Sequence, residues 1–565
     1  MQSFTKKFNI YKQKINKQFD SNRLRKTPSR KITAVLDSTS KVLEDSAKGG
    51  FYLTVGSIVS TIILGLSVII ITRILGSELY GLYTISTVIP SLLIIFLDPG
   101  INQGIIKFTS SFRTKEDSKG LRKLLLHGLS TETLLGLTAS AACFIFSDHL
   151  ANSFLINRPE ISGFIKIASA LIILQTITTT LNSAFIGFDK TEYNTLTTVI
   201  QAITKALIST VLLVLGLNIA GALIGYVASF AITSLIGIIF FIQKILKPLK
   251  HSDGDSASYS SNLRMLIKYG LPLYASALIS GVALQYRVII MSIFTSNAEI
   301  GNFQAAMNFN TILASISVPI ATMLLPAFSK LEHKKDTIKE FFKISIKYTS
   351  MILLPISILL AVYAQEAVQI IYGAGFELTA YILSLYMTTY LLVGLGSNTL
   401  GSFFAGIGET KTNLKTTIIN LITLMVLAPI LTYSLKVTGI IIALILSSLA
   451  GTIYGLYTAR KSYDIMINSK MLERIYLVAL ISALPIFIIK WMLAYSSILM
   501  MMLGAVTYLA IYLIMIPITG VITPAELKEI KKILEKIKLL NYLAKPIIYF
   551  EEKIFKAFPQ TQLTQ

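Results

Sequence analysis

The chain carries a copy of itself. Gly81 answers to Gly301, Tyr83 to Phe303, Pro99 to Pro319 and Phe108 to Phe328, each pair 220 positions apart, and the register holds through Lys119/Lys339 and Lys123/Lys343. Further on, Ala184-Phe185-Ile186-Gly187 with Asn194 answers to Phe403-Phe404-Ala405-Gly406 with Asn413 at a separation of 219, and Gly221 answers to Gly439 at 218. The intervening apolar spans follow a similar course in both copies. Such a register marks one bundle of helices duplicated in tandem.

The solvent for that bundle follows from composition. Hydrophobic residues make up 53% and charged residues 14% of the 565, with a mean hydropathy of +0.68. A soluble globular chain has roughly 25% charged residues, so this one belongs in a bilayer. A crossing helix needs roughly 20 apolar residues, and about fourteen such runs lie between Gly50 and Thr519. No run alternates as a barrel strand would. The expected fold is an all-α integral membrane protein with about 14 transmembrane helices. The single cysteine, Cys143, lies in an apolar run, and the four histidines, His127, His149, His251 and His333, are far apart. No disulfide framework, metal site or cofactor is expected.

The formal charge of +22 would point to nucleic acid on a soluble domain, but here its placement gives a different account. Lys107, Arg113, Lys115, Lys119, Arg122 and Lys123 follow the second span, Lys244, Lys247, Lys250 and Arg264 the sixth, and Lys330, Lys334, Lys335 and Lys339 the eighth. The intervening loops hold chiefly Arg158, Lys436 and Lys490. By the positive-inside rule the crowded loops are cytoplasmic, as are both termini. Each six-helix repeat then starts and ends on the same side, so the two lobes are related as parallel repeats.

In order, residues 1–48 form a basic extension without an apolar core, either solvated or in contact with anionic headgroups. Residues 49–245 form the first lobe, 246–263 a polar linker, 264–461 the second lobe, and 462–519 two spans outside the duplication. Residues 520–565 begin with Thr523 and Glu526 at capping-box spacing and Pro524 at the first helical position. Leu527, Ile530, Ile533, Leu534, Ile537 and Leu540 then make an apolar stripe. This amphipathic helix either lies on the cytoplasmic membrane surface or docks on the protein's own loops.

Ionisable residues inside spans carry the functional information, because a charge in hydrocarbon is costly and usually faces a cavity. Lys205 falls halfway through the fifth span, Arg287 in the outer half of the seventh, Arg73 near the outer end of the first and Lys166 in the outer third of the fourth. Glu132 falls in the third and Asp98 near the inner end of the second. Thr198, Gln201, Lys205 and Ser209 share one helical stripe, as do Ser276, Ser280 and Arg287, and Gln304, Asn308, Thr311 and Ser315. These stripes line an aqueous cleft or serve helix packing. Glu132 has Lys205 or His127 as a possible ion-pair partner, and Arg73 either binds a ligand or snorkels to the headgroups.

Arg73-Ile-Leu-Gly-Ser-Glu-Leu-Tyr-Gly-Leu-Tyr83 resembles the opening signature of the polysaccharide flippases of the multidrug/oligosaccharidyl-lipid/polysaccharide exporter superfamily. Asp98-Pro-Gly-Ile-Asn-Gln-Gly-Ile-Ile-Lys-Phe108 is similar to that family's next helix end, and Ala184-Phe-Ile-Gly187, Asn218-Ile-Ala-Gly-Ala222 and Ile370-Ile-Tyr-Gly373 are further echoes. The resemblance spans about Gly50 to Thr519 and implies a flippase of polyprenyl-linked saccharides, working by alternating access of two six-helix lobes. Fourteen spans also resemble the lipid II flippase branch. A sodium site of that branch would need carboxylates within the second lobe, whereas Glu299, Glu366, Glu377 and Glu409 stand at helix ends.

The charges agree with this substrate class. A phosphate or pyrophosphate headgroup crossing a low-dielectric layer needs fixed cations. The expected headgroup ligands are Lys205 and Arg287, helped by Arg73 and Lys166. Thr198, Gln201, Ser276, Ser280, Gln304, Asn308 and Glu132 are expected to line the cavity. The expected setting is the plasma membrane, with membrane lipids and the glycan polymerase or glycosyltransferases of the same pathway as partners and no nucleic acid. Two alternatives are a multidrug cation antiporter of the same superfamily, which calls for central carboxylates and twelve spans, and a membrane glycosyltransferase or polymerase, which calls for catalytic acids in a sizeable loop.

Overall fold

Long apolar runs punctuated by Gly and Pro dictate long helices with a few sharp breaks. The computed structural model describes residues 29–114, 117–154, 158–249, 258–332, 335–492, 497–535 and 538–557. Every element among them is helical. Helix α1 (Ser29–Leu97) breaks at Gly76 (φ 70, ψ 174), a backbone region open to glycine. At roughly 1.5 Å per residue, its apolar part, Tyr52–Leu97, is more than twice the roughly 30 Å of hydrocarbon. The break therefore divides it into two crossings. A second long helix, Thr410–Tyr463, is likewise broken at Lys436. Among the described residues twelve helices are long and apolar enough to cross a membrane, and these two breaks bring the crossings to about fourteen.

The first half continues with α2 (Ile101–Thr114), α3 (Ser118–Ile145), α4 (Ser162–Gly187), α5 (Thr191–Val214) and α6 (Asn218–Phe241). Helix α5 packs on α1 and α6, and α4 on α3 and α6. The second half comprises α7 (Tyr259–Phe294), α8 (Asn297–Leu331), α9 (Lys335–Val362), α10 (Ala364–Ile371), α11 (Glu377–Met387), α12 (Leu400–Gly406) and α13 (Thr410–Tyr463). In α13 Lys436 takes the break (φ 52, ψ −132), and its ammonium is hydrogen-bonded to the carbonyl of Phe294 at 3.0 Å.

The repeat is physical as well as textual. A Cβ built on Gly187 would meet Thr109 at 2.7 Å and the Ile106 carbonyl at 3.2 Å; one on Gly406 would meet the Leu325 carbonyl at 2.6 Å and Phe328 at 2.7 Å. Gly221 abuts the backbone of Leu212 as Gly439 abuts that of Leu431. The copies also differ. Just before Pro99 the first halts, and it restarts at Ile101, where Asp98 Oδ1 accepts from the amides of Gly100 (3.0 Å) and Asn102 (3.2 Å). In the second, α8 runs on through Pro319 and Pro326.

Helix α7 belongs to both halves. Before Pro272, Tyr259 bonds Thr131 (2.5 Å), Asn262 bonds His127 (3.0 Å) and Gly270 lies against Gly100, all in the first half. Beyond it, the Tyr286 hydroxyl donates to the Met425 carbonyl of α13 at 2.9 Å. The segment expected as an interlobe linker thus already contains the start of α7; residues 250–257 and the basic stretch 1–28 lie outside the described residues.

Helices α14 (Ser469–Ile481), α15 (Leu484–Met492) and α16 (Ser497–Ile518) flank the second half. The Lys490–Glu366 ion pair (2.9 Å) and the Tyr512 hydroxyl on the Met351 carbonyl (2.9 Å) fasten them there. The amphipathic tail forms two helices, α17 (Pro524–Leu534) and α18 (Lys538–Ala557). The expected capping box is present: Thr523 N donates to Glu526 at 2.9 Å, and Glu526 N to the Thr523 hydroxyl at 3.3 Å. Glu526 also pairs with Lys347 of α9 at 2.7 Å, and Leu527 is buried in the second half's apolar core. The tail therefore docks on the protein itself.

Candidate functional site

Two members of the α7 stripe, Ser280 and Arg287, face a cavity in the second half, while the side chain of Ser276 lies outside the described residues. A space of about 530 Å³ lies between α7, α8, α13 and the 3₁₀ turn Thr388–Leu395 that continues α11. That volume is within the roughly 300–1,000 Å³ of small-ligand pockets. Ser280 and Arg287 line it from α7, Tyr386 and Tyr390 from the α11 side, and Asn398 and Asn420 from the far wall. Arg287 is the one charged side chain in this lining among the described residues. Its Nε lies 3.5 Å from the Leu284 carbonyl, a weak contact, and no carboxylate pairs with it among the described residues. A half-buried guanidinium offers five donors in a plane, so the cavity presents unspent capacity for an anion. The Tyr390 hydroxyl donates to Asn310 Oδ1 at 2.5 Å, which fixes one aromatic wall.

Lys205 lies elsewhere, within the first half. It is buried in the α5–α6 seam, where its ammonium sits 3.6 Å from the centroid of the Tyr226 ring and has no carboxylate partner among the described residues. A cation on an aromatic face is stabilised by about 0.5–2 kcal/mol, which replaces only part of its lost hydration. Its stripe is engaged in packing here: Gln201 donates to the Ser229 hydroxyl at 3.3 Å, and Thr198 turns back to the Asn194 carbonyl at 3.1 Å.

The remaining sequence candidates separate. Lys166 pairs with Asp148 at 3.1 Å at an exposed end of α4. Arg73 is exposed beside Gly373. Of the four cations, Arg287 alone lines the 530 Å³ cavity among the described residues. Glu132 is fully buried on α3, and both its oxygens lack a hydrogen-bond partner. The pair expected with Lys205 or His127 is not formed; His127 bonds Asn262 instead. Asn308 donates to the hydroxyls of Tyr80 (3.2 Å) and Tyr372 (3.3 Å), tying α8 to α1. Gln304 is half-buried on α8, and Ser276 lies on α7 one turn before Ser280. Tyr386 and Tyr390 escaped the sequence reading. Their spacing of four on one apolar helix was the available signal, hidden because tyrosine passes for an ordinary span residue.

The helical bundle in two related halves has counterparts among solved structures. A solved structure of the lipid II flippase MurJ in an inward closed conformation matches with a TM-score of 0.66 over 82% of this chain and 98% of that one, at 18% identity. An inward-facing multidrug resistance MATE transporter of the MOP superfamily matches with a TM-score of 0.62 over 72% and 94%, also at 18% identity. The molecule thus shares the fold of MurJ and of MATE transporters, with many helices long and apolar enough to cross a membrane.

Within that class the chain belongs to the polysaccharide biosynthesis protein family, whose sequence model matches residues 46–332. It is 24% identical over 354 residues to the lipopolysaccharide biosynthesis protein WzxC of Escherichia coli K12, covering 61% of this chain and 67% of that protein. It is 20% identical over 227 residues to the "Probable low-salt glycan biosynthesis flippase Agl15" of Haloferax volcanii, covering 40% and 48%. Membership in that family places the chain in polysaccharide biosynthesis.

Proposed function

We propose that this transporter moves a polyprenyl-phosphate- or pyrophosphate-linked oligosaccharide from the cytoplasmic to the outer leaflet of the plasma membrane by alternating access of its two halves. The observation that carries the reading is the sign of the cavity: Arg287 stands in it with no acidic counter-ion among the described residues. In a low-dielectric setting an anionic group gains most from such a donor. A cationic drug would meet repulsion there, which weighs against the antiporter reading that the fold alone leaves open. The hydroxyls, amides and tyrosines around Arg287 suit a saccharide, which carries both polar edges and apolar ring faces.

Lys205 is assigned the second anion contact, reached when the halves rearrange and draw its ammonium off Tyr226. Residues 49–245 and 264–461 act as the two moving lobes, with the spans of 462–519 as an appendage. The basic ends of the helices, at Lys107, Arg113, Arg122, Lys244 and Lys339, face the cytoplasm. With a negative interior, outward movement of each negative charge is then favoured by about 2.3 kcal/mol per 100 mV. Glycosyltransferases supply the substrate on the inside, and a polymerase or transferase consumes it outside. The test is export in cells. Arg287→Ala and Lys205→Ala are expected to abolish surface delivery of the glycan at unchanged protein levels, and unchanged delivery in both would overturn the assignment.

A further inference from the structure

Among the described residues, every ion pair lies within one half of the chain and its own attached helices: Arg113–Asp189 and Lys166–Asp148 in the first, and Lys339 with Asp336 and Asp464, Lys343–Glu340, Lys490–Glu366, Lys347–Glu526 and Lys531–Glu552 in the second. The seam between the halves is closed by other means at its sparsely charged end. There α1 and α8 cross backbone to backbone: a Cβ on Gly81 would lie 1.8 Å from the Asn297 carbonyl, and one on Gly301 would lie 1.8 Å from that of Ser77. The two contacts are images of each other, since Ser77 and Asn297 also stand 220 positions apart. The axis of the repeat therefore passes through this crossing.

One cation bonds across the seam there. Arg158, in the segment leading into α4 of the first half, donates from Nε to the Ser292 carbonyl (3.0 Å), from Nη2 to the Thr295 carbonyl (2.8 Å) and from Nη1 to Asn297 Oδ1. The guanidinium fork thus spans the end of α7 and the start of α8, where the last carbonyls of a helix lack intrahelical donors and a cation is favoured. All three acceptors are neutral. When the fork withdraws, water can replace it on both sides without leaving a buried charge unpaired, as breaking a carboxylate pair would. Ion pairs that all stay within one half, with a seam held by neutral acceptors, leave a contact built to open.

We propose that Arg158 is the latch of the outer gate: it holds the Gly81/Gly301 crossing shut while the cavity is open to the other side, and its release lets the halves part for delivery. The word "outer" rests on the orientation proposed above; the latch itself does not.

The test uses the full-length protein in a Cys143→Ser background with Thr84→Cys as reporter. Thr84 is buried one turn from Gly81. A second reporter, Gln103→Cys, lines a cavity between α2 and α7 at the basic end. A membrane-impermeant maleimide is applied to intact cells and to inverted vesicles. Arg158→Ala is expected to raise labelling of Thr84→Cys from outside at least fivefold and to lower that of Gln103→Cys from inside, with Arg158→Lys between it and wild type. Unchanged labelling of Thr84→Cys on both sides would overturn the latch, and so would a rise at both reporters, which marks a loosened fold. A rise at Thr84→Cys confined to inverted vesicles would support the latch and overturn the orientation.

Discussion

Arg287 and Lys205 were legible in the sequence as cations inside apolar spans, yet their surroundings were not. Periodicity puts residues on a face but does not say whether that face meets a cavity, a ring or a carboxylate. Arg287 meets a cavity and Lys205 the Tyr226 ring, while Lys166, expected only to help them, is spent on Asp148, a residue beyond the end of the preceding span. Glu132 is the opposite case. Expected to line a cavity, it is fully buried with neither oxygen bonded. A buried carboxyl without partners costs about 1–3 kcal/mol or more. Glu132→Leu is therefore expected to raise the melting temperature of purified protein by several degrees. A drop would mean that the carboxyl has a partner which the substitution removes.

Among elements, the breaks show how far sequence reaches. Gly76 announces a turn because glycine tolerates positive φ, whereas Lys436 takes the equivalent break with nothing in its type to announce it. The C-terminal stripe was visible, but whether it lay on lipid or on protein turned on Lys347, 179 residues away from Glu526. Burial also pushes the Glu551 carboxyl on α18 from 4.5 up to about 7, beside Tyr512 of α16. An acid whose pKa rises on docking stabilises the docked form at low pH. That contribution is complete below about pH 4.5 and is lost as pH climbs through about 7. Amide exchange over residues 548–554, corrected for intrinsic rates, is expected to be faster relative to that correction at pH 8 than at pH 5, and Glu551→Gln should remove the difference. Equal protection at both values would refute the burial of this carboxyl.

For the molecule as a whole, the 220-residue register foretold the architecture because paired glycines do paired work: Gly187 and Gly406, and Gly221 and Gly439, make matching backbone contacts in each half. What the register did not disclose is that Gly81 and Gly301 meet each other, since a repeat gives the copies and not the axis between them. Nor did it disclose that α7 is shared, because the apolar pattern runs unbroken through Pro272 while contacts with the second half join those with the first beyond it. The central claim is that this molecule carries an anionic lipid-linked saccharide across a bilayer unchanged. The measurement that tests it most directly is leaflet exchange of a labelled polyprenyl-pyrophosphate oligosaccharide in liposomes containing only the purified protein, read by access of an impermeant reagent. Exchange well above that of protein-free liposomes is expected, with intact glycan and with loss of exchange in Arg287→Ala and Lys205→Ala. Exchange no faster than in protein-free liposomes, or a chemically altered glycan, would contradict it.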